Sequence, residues 1–590
     1  MTERTQGSGH TSGRAGGGPG EPTGHANGNW DLLIRGGTVI DGTGAPARRA
    51  DVAIRGGRVA AIGEDLPGRA VRTLEADGHV VAPGFVDIHT HYDAQVFWDR
   101  MLSISPWHGV TSVVVGNCGF GIAPTRKAHR DLILRTLENV EGMSLAALQA
   151  GIGEDWGFET FPEFLDRIES RGIAVNLGAL VGHTPVRLYV MGEEATEREA
   201  TPDELRAMRE LVAGSLRAGA VGFATSRAPT HVGYAGRPVP SRAASFDEIE
   251  ALVGCLSEVD HGVFQATVGR GLFLEQFGAL ARATGKPVTW TALLGGMFGP
   301  EGHRNILEQC AKLQEGGAAV WPQVSCRPLM TEYQMKAPFT FQSLSFFEPV
   351  SAADHEGKKR VYADPEFRAA FRESGAKGIL SGGWDRTTIA SVPGEPGLSE
   401  RNLAEVAAER GVHAADLVLD LSLATDLEAR FRVAVANSDE GIVGELLTAE
   451  ASMLGLSDAG AHASQLCDAC APTHLLGHWV RERGLMPLEE GIRRLTSQPA
   501  GIFGLDDRGR LAPGMAGDVT IFDPKTVGCS PLRRVQDFPA GADRLVSDAS
   551  GIRAVVVNGT VLREDGADRL DPEGPLPGRV LRGGRMRPDA

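Results

Sequence analysis

The stretch Pro83-Gly84-Phe85-Val86-Asp87-Ile88-His89-Thr90-His91 decides how this chain is read. An apolar run from Val80 to Ile88 reaches a His-x-His pair and then turns polar. Residues two apart on a strand share a face, so His89 and His91 are expected to project together. Two imidazoles at the end of a buried strand form a ready pair of metal ligands. A lone His-x-His would read instead as two histidines satisfied in a core.

Around this point the chain has the make-up of an ordinary globule. Its 590 residues suffice for one large barrel and a smaller domain. The apolar share is 42% and the net charge is −16, with no basic run, which argues against nucleic acid and anionic membranes as partners. No apolar stretch approaches a membrane span, and seven cysteines make no disulfide framework, so a reducing cytoplasm is expected.

Residues 1–28 are Gly, Ser, Thr, Pro and His with almost nothing apolar, and are expected to form a disordered tail. Short β runs separated by Gly-Gly and Asp-Gly turns fill 29–82 and return over 506–582. Both chain ends are therefore expected to build one small composite β-sandwich. Between them, over 83–505, apolar runs at 80–88, 110–116, 173–181, 220–224, 262–268, 287–294, 318–324 and 452–457 alternate with helical stretches such as 202–218, 246–258 and 302–314. This is the pattern of an α/β protein with a (β/α)8 TIM barrel. About 120 residues separate the last two runs, too many for a barrel loop, so 329–450 reads as an inserted lid with helices at 365–374 and 399–421. Its Pro338-Phe339-Thr340-Phe341 and Phe346-Phe347 either face substrate or give the insertion its own core.

Barrel sites use residues at strand C-termini. That rule selects His89 and His91, then Cys118 between glycines in Gly116-Asn117-Cys118-Gly119, His183, Arg227, Arg327 and Asp458. Cys118 is a metal ligand or a buried thiol. Asp458 closes the apolar run Met453-Leu454-Gly455-Leu456-Ser457; beside a divalent cation it could bind the metal and shuttle a proton. His183 could hydrogen-bond an oxyanion, and Arg227 or Arg327 could pair with a substrate carboxylate. Cys467-Asp468-Ala469-Cys470 has the spacing of zinc and redox motifs, yet without a second pair it reads as a loop. His462, His474 and His478 share that region.

PGFVDIHTH resembles the first metal motif of the amidohydrolase superfamily. HTHYDAQ from His89, WHGVTSVVVGNCG from Trp107, VGHTPVRLYVMG from Val181 and GLSDAGAH from Gly455 together resemble its N-acyl-D-amino-acid deacylase (D-aminoacylase) branch. The similarity runs from about Trp30 to Arg582. It implies hydrolysis of a C–N amide bond in a small-molecule N-acyl substrate. It implies a divalent metal, zinc by its donors, on His89, His91 and Asp458, with Cys118 helping to bind a second. The family's fifth- and sixth-strand histidines should fall near Val263–Thr267 and Val288–Thr291, and neither stretch contains one. One metal is therefore expected, with two left open. A cyclic-amide (hydantoinase-like) hydrolase and a catalytically reduced barrel that binds a ligand remain as rivals, and a homo-oligomer stays open.

Overall fold

The apolar run that carries the histidines is two strands in two different sheets. Val80–Pro83 lies parallel to Asn29–Val39 and antiparallel to Val519–Phe522, whereas Phe85–Asp87 pairs with Val110–Val115. The chain changes sheet at Gly84, where a Cβ would sit 2.1 Å from the Thr111 hydroxyl, so only glycine fits. These features come from a computed structural model that describes residues 29–586 except 234–236, 337, 339–340, 342–343 and 375–382. The expected tail, Phe339 and Thr340 lie outside the described residues.

Eight parallel strands follow one another in space as in sequence: Phe85–Asp87, Val110–Val115, Asn176–Gly182, Gly222–Ser226, Val263–Thr267, Val288–Thr291, Val320–Val324 and Met453–Leu454. Each overlaps one of the apolar runs, and Asn176–Gly182 and Gly222–Ser226 extend one and two residues beyond theirs. They are almost wholly buried, as parallel strands under helices must be. Thr90 bridges Ala459 in parallel, and the Ala459 carbonyl accepts the His91 N–H at 2.7 Å, so the first and eighth strands end side by side.

Both chain ends contribute to a nine-stranded sheet, with Val519–Phe522 set between Val80–Pro83 and Ile552–Val557. Its apolar face holds Leu32, Ile34, Val52, Ile54, Val519, Ile521 and Val556.

The insertion has its own four-stranded antiparallel sheet. Phe341, Phe347, Phe371, Tyr362 and Phe431 pack there in a separate cluster, with Phe346 at its edge. The phenylalanines thus form the insertion's core. The expected helix at 399–421 is two, Leu403–Arg410 and Ala414–Ala424, because Gly411 (φ 65°) caps the first and Asn402 and His413 start one each. Helix Glu440–Thr448, placed within the insertion by its sequence position, packs Val443 and Leu446 into the barrel core instead.

Candidate metal centre

His89 and His91 leave the end of the first strand with ring centroids 5.2 Å apart, held by Thr90, whose hydroxyl donates to the Val114 carbonyl at 2.8 Å. Cys118 follows the second strand in a left-handed turn (φ 57°) between Gly116 and Gly119. These glycines serve the scaffold: a Cβ on Gly116 would lie 2.2 Å from the Leu180 carbonyl oxygen, and one on Gly119 2.7 Å from the Thr225 Cα. Asp458 sits on a strained segment with Leu456, itself and His462 all at positive φ, as functional loops often are.

These side chains converge. One ligand atom each from His89, His91 and Cys118 lies within 4.8 Å of the others, all three residues being buried. Asp458 Oδ1 is 3.2 Å from His89 Nε2 and 3.6 Å from His91 Nε2, and Cys118 Sγ is 3.5 Å from His89 Nε2. The opposite ring nitrogens are spoken for. His89 Nδ1 meets Gln323 Oε1 at 2.6 Å, and His91 Nδ1 lies 3.1 Å from Glu141 Oε1. Both Nε2 atoms are thereby aimed at one point, the outer-shell arrangement that orients metal-binding imidazoles. Two imidazoles, a thiol and a carboxylate suit zinc, so the donor set fits the cation.

The electrostatics agree. Burial pushes the Asp458 carboxyl up, but the His91 hydrogen bond and the charges of His89 and His91 outweigh it and hold the group ionised, well below the usual carboxylate range. Burial likewise raises the Cys118 thiol, and His89 more than reverses this, bringing it down to about 7. Asp87 goes the other way: burial lifts it to about 6 against the Ser457 hydroxyl, which donates to it at 2.6 Å.

Cys118 Sγ therefore lies in the same cluster of ligand atoms as both histidines. Where strand-five and strand-six histidines were sought, Gln265 Oε1 accepts the Cys118 backbone N–H at 2.7 Å, and the hydroxyls of Thr291 and Thr267 bond each other at 3.2 Å. His183 does not keep a free N–H for an oxyanion. It is fully buried, with Nδ1 on the Thr225 hydroxyl at 2.7 Å and Nε2 on Glu248 at 2.8 Å, and Glu248 also binds Arg187. Arg327 is paired with Asp468 at 2.6 Å. Arg227 donates to the Ala244 and Arg270 carbonyls and has no ion-pair partner among the described residues.

Sequence reading missed Glu141, Gln323 and His231. Glu141 ends helix Arg130–Glu141 and is 3% exposed. A carboxylate there opposes the negative end of the helix dipole, which was a usable signal. His231 packs against Phe120 with the rings tilted by 55° and their centroids 5.0 Å apart, and burial lowers it to about 4.

A parallel eight-stranded α/β scaffold with histidines after its first strand and an aspartate after its eighth defines a metal-dependent hydrolase class. The chain matches the amidohydrolase family over residues 72–319 and 385–563, and belongs to it. Among curated relatives it is similar to the D-aminoacylase of Alcaligenes xylosoxydans xylosoxydans, 30% identical over 91% of this chain and 95% of the relative. The N-acyl-D-glutamate deacylase of the same organism is 31% identical over 94% and 96%. A solved D-aminoacylase, described by one-metal activation and second-metal attenuation at a binuclear centre, superposes with TM-score 0.65 at 28% identity, covering 93% of this chain and 99% of its own.

Proposed function

We propose that this protein is a cytoplasmic, metal-dependent amidohydrolase that cleaves the C–N amide bond of an N-acyl-D-amino acid or a related N-acyl amine. The observation that carries this is the meeting of His89, His91, Cys118 and Asp458 at one buried point. Similarity to two deacylases over nearly the whole chain supports the substrate class. All seven cysteines are free thiols, which supports the compartment, and no described helix is long and apolar enough to cross a membrane.

A bound divalent cation, zinc by these donors, would polarise the acyl carbonyl and make a nearby water acidic. His89, His91 and Cys118 would hold it, with Gln323 and Glu141 fixing the rings. Asp458, kept ionised, takes the proton of the attacking water and returns it to the leaving nitrogen. Arg227, with no carboxylate partner among the described residues, is our candidate for a substrate carboxylate, in preference to Arg327. The nine-stranded sheet from both chain ends is our composite domain, bracing the first strand through Gly84.

The test is turnover of N-acyl-D-amino acids, N-acyl-L-amino acids and cyclic amides, with metal content measured on the same sample. Release of amino acid from the D series, lost on chelation and restored by zinc, is expected. Opening of cyclic amides alone would replace this reading with a hydantoinase-like one. Metal binding without turnover of any series would leave a ligand-binding barrel.

A further inference from the structure

The loop after the fourth barrel strand lies at the mouth of the barrel and carries His231. Two contacts clasp it to the elements that hold the metal ligands and their partners. The His231 ring packs against Phe120, two residues past Cys118, with centroids 5.0 Å apart. The Asn139 side chain donates to the Gly233 carbonyl at 3.0 Å, from the same helix turn that ends in Glu141. Arg242 fastens the loop further, donating to the His231 carbonyl at 3.0 Å and the Pro229 carbonyl at 3.2 Å. The groups whose charges act on the imidazole are accordingly Glu141, His462, His91 and Asp458.

Hydrogen bonds fix which ring nitrogen carries the proton. Ser226, at the end of the fourth strand, is fully buried, and its hydroxyl accepts the Ala228 N–H at 3.2 Å. The hydroxyl proton has one acceptor among the described residues, His231 Nδ1 at 2.7 Å. Were Nδ1 the donor instead, a buried O–H would be left unpaired. The imidazole proton therefore sits on Nε2, and that N–H has no partner among the described residues. The ring is half-buried, so a ligand in the mouth can reach it. Rival donors are not available in this way. Gln265 Nε2 is also unpartnered but completely enclosed, and both nitrogens of His183 are engaged.

We propose that His231 is a catalytic residue whose Nε2–H donates a hydrogen bond to the acyl oxygen of the substrate, a bond that strengthens as this oxygen gains charge. The inference rests on the amide-hydrolase reading above. When water adds, a C–O bond forms, the carbonyl π pair moves onto the acyl oxygen, and Asp458 takes the water's proton. On collapse the C=O bond re-forms, the C–N bond breaks, and Asp458 returns the proton to the nitrogen. His231 keeps its own proton throughout. A neutral imidazole suits this task, because it holds the oxyanion without surrendering a proton to it. A protonated ring would instead set a second positive charge beside the cation.

The experiment compares the full, zinc-loaded chain with His231→Phe, which keeps a ring against Phe120, and His231→Gln, which keeps an N–H donor. Measured are kcat and KM on the amides that the parent chain hydrolyses, zinc content, and the calorimetric affinity for methylphosphonyl-D-glutamate and methylphosphonyl-D-leucine. In these probes tetrahedral phosphorus replaces the acyl carbon. His231→Phe should lose about 10²- to 10³-fold in kcat, the usual effect of removing one oxyanion donor, with KM changed by less than about threefold and zinc retained. The tighter-bound phosphonyl probe should weaken by a similar factor, and His231→Gln should recover about tenfold of each loss. Should His231→Phe fail to fold, His231→Met against His231→Gln makes the same comparison without and with a donor. A kcat within about tenfold of the parent, or a raised KM at unchanged kcat, would overturn the proposal alone. A parent chain that hydrolyses no amide and binds neither probe would overturn the reading it rests on as well.

Discussion

The side-chain carbonyl of Gln265 accepts the backbone N–H of Cys118 at 2.7 Å, so a fifth-strand residue positions the turn that presents the thiol. Both residues are buried, and no water can replace the bond cheaply. Gln265→Leu should therefore cost about 1–3 kcal/mol of stability and weaken metal binding about 10- to 100-fold. Thermal unfolding and a chelator competition measure the two effects. Unchanged metal affinity would show that Cys118 needs no such support.

Asp458→Asn keeps the shape of the side chain and removes its charge. Turnover should fall by about 10²- to 10⁴-fold, the usual contribution of a positioned acid–base group, with the fold intact by circular dichroism. Activity within tenfold of the parent chain would remove Asp458 from proton transfer.

Metal affinity should depend on pH through Cys118. In the metal-free protein its thiol is lowered from 9.0 to about 7, and binding requires the thiolate. Affinity should accordingly fall about tenfold per pH unit below about 7 and level off above it, in addition to any histidine protonation. Cys118→Ser should retain the fold and lose the thiolate's share of that slope. A slope unchanged in Cys118→Ser would contradict the assignment.

Phe347→Ala should destabilise the insertion without changing substrate preference. The ring is fully buried and packs on Phe341 at 5.3 Å and Phe367 at 5.2 Å, so its loss should cost about 3–5 kcal/mol. A shifted ratio of turnover among N-acyl substrates at unchanged stability would place it against substrate.

Arg227→Met should raise KM for substrates bearing a carboxylate by about tenfold or more, with kcat less affected, as loss of a charge-assisted pair predicts. Equal effects on carboxylate-free amides would assign Arg227 to holding the Ala244 and Arg270 loops.

The sequence by itself determined the eight barrel strands and His89, His91, Cys118 and Asp458 as candidates, because these rest on short-range signals. Apolar runs such as Val110–Val115 report burial, and polar residues just past them report strand ends. Periodicity could not say that Val80–Ile88 serves two sheets, since one glycine makes the change and its necessity lies in Thr111, distant along the chain. Nor could it assign partners. His183 and Asp458 both follow apolar strands, yet Glu248 claims one and the histidine pair claims the other. Only the curled eight-stranded parallel sheet, whose ends set Thr90 beside Ala459, brings residues hundreds of positions apart within hydrogen-bonding distance. Chemistry types are written locally in the chain, whereas contacts between side chains depend on which strands become neighbours.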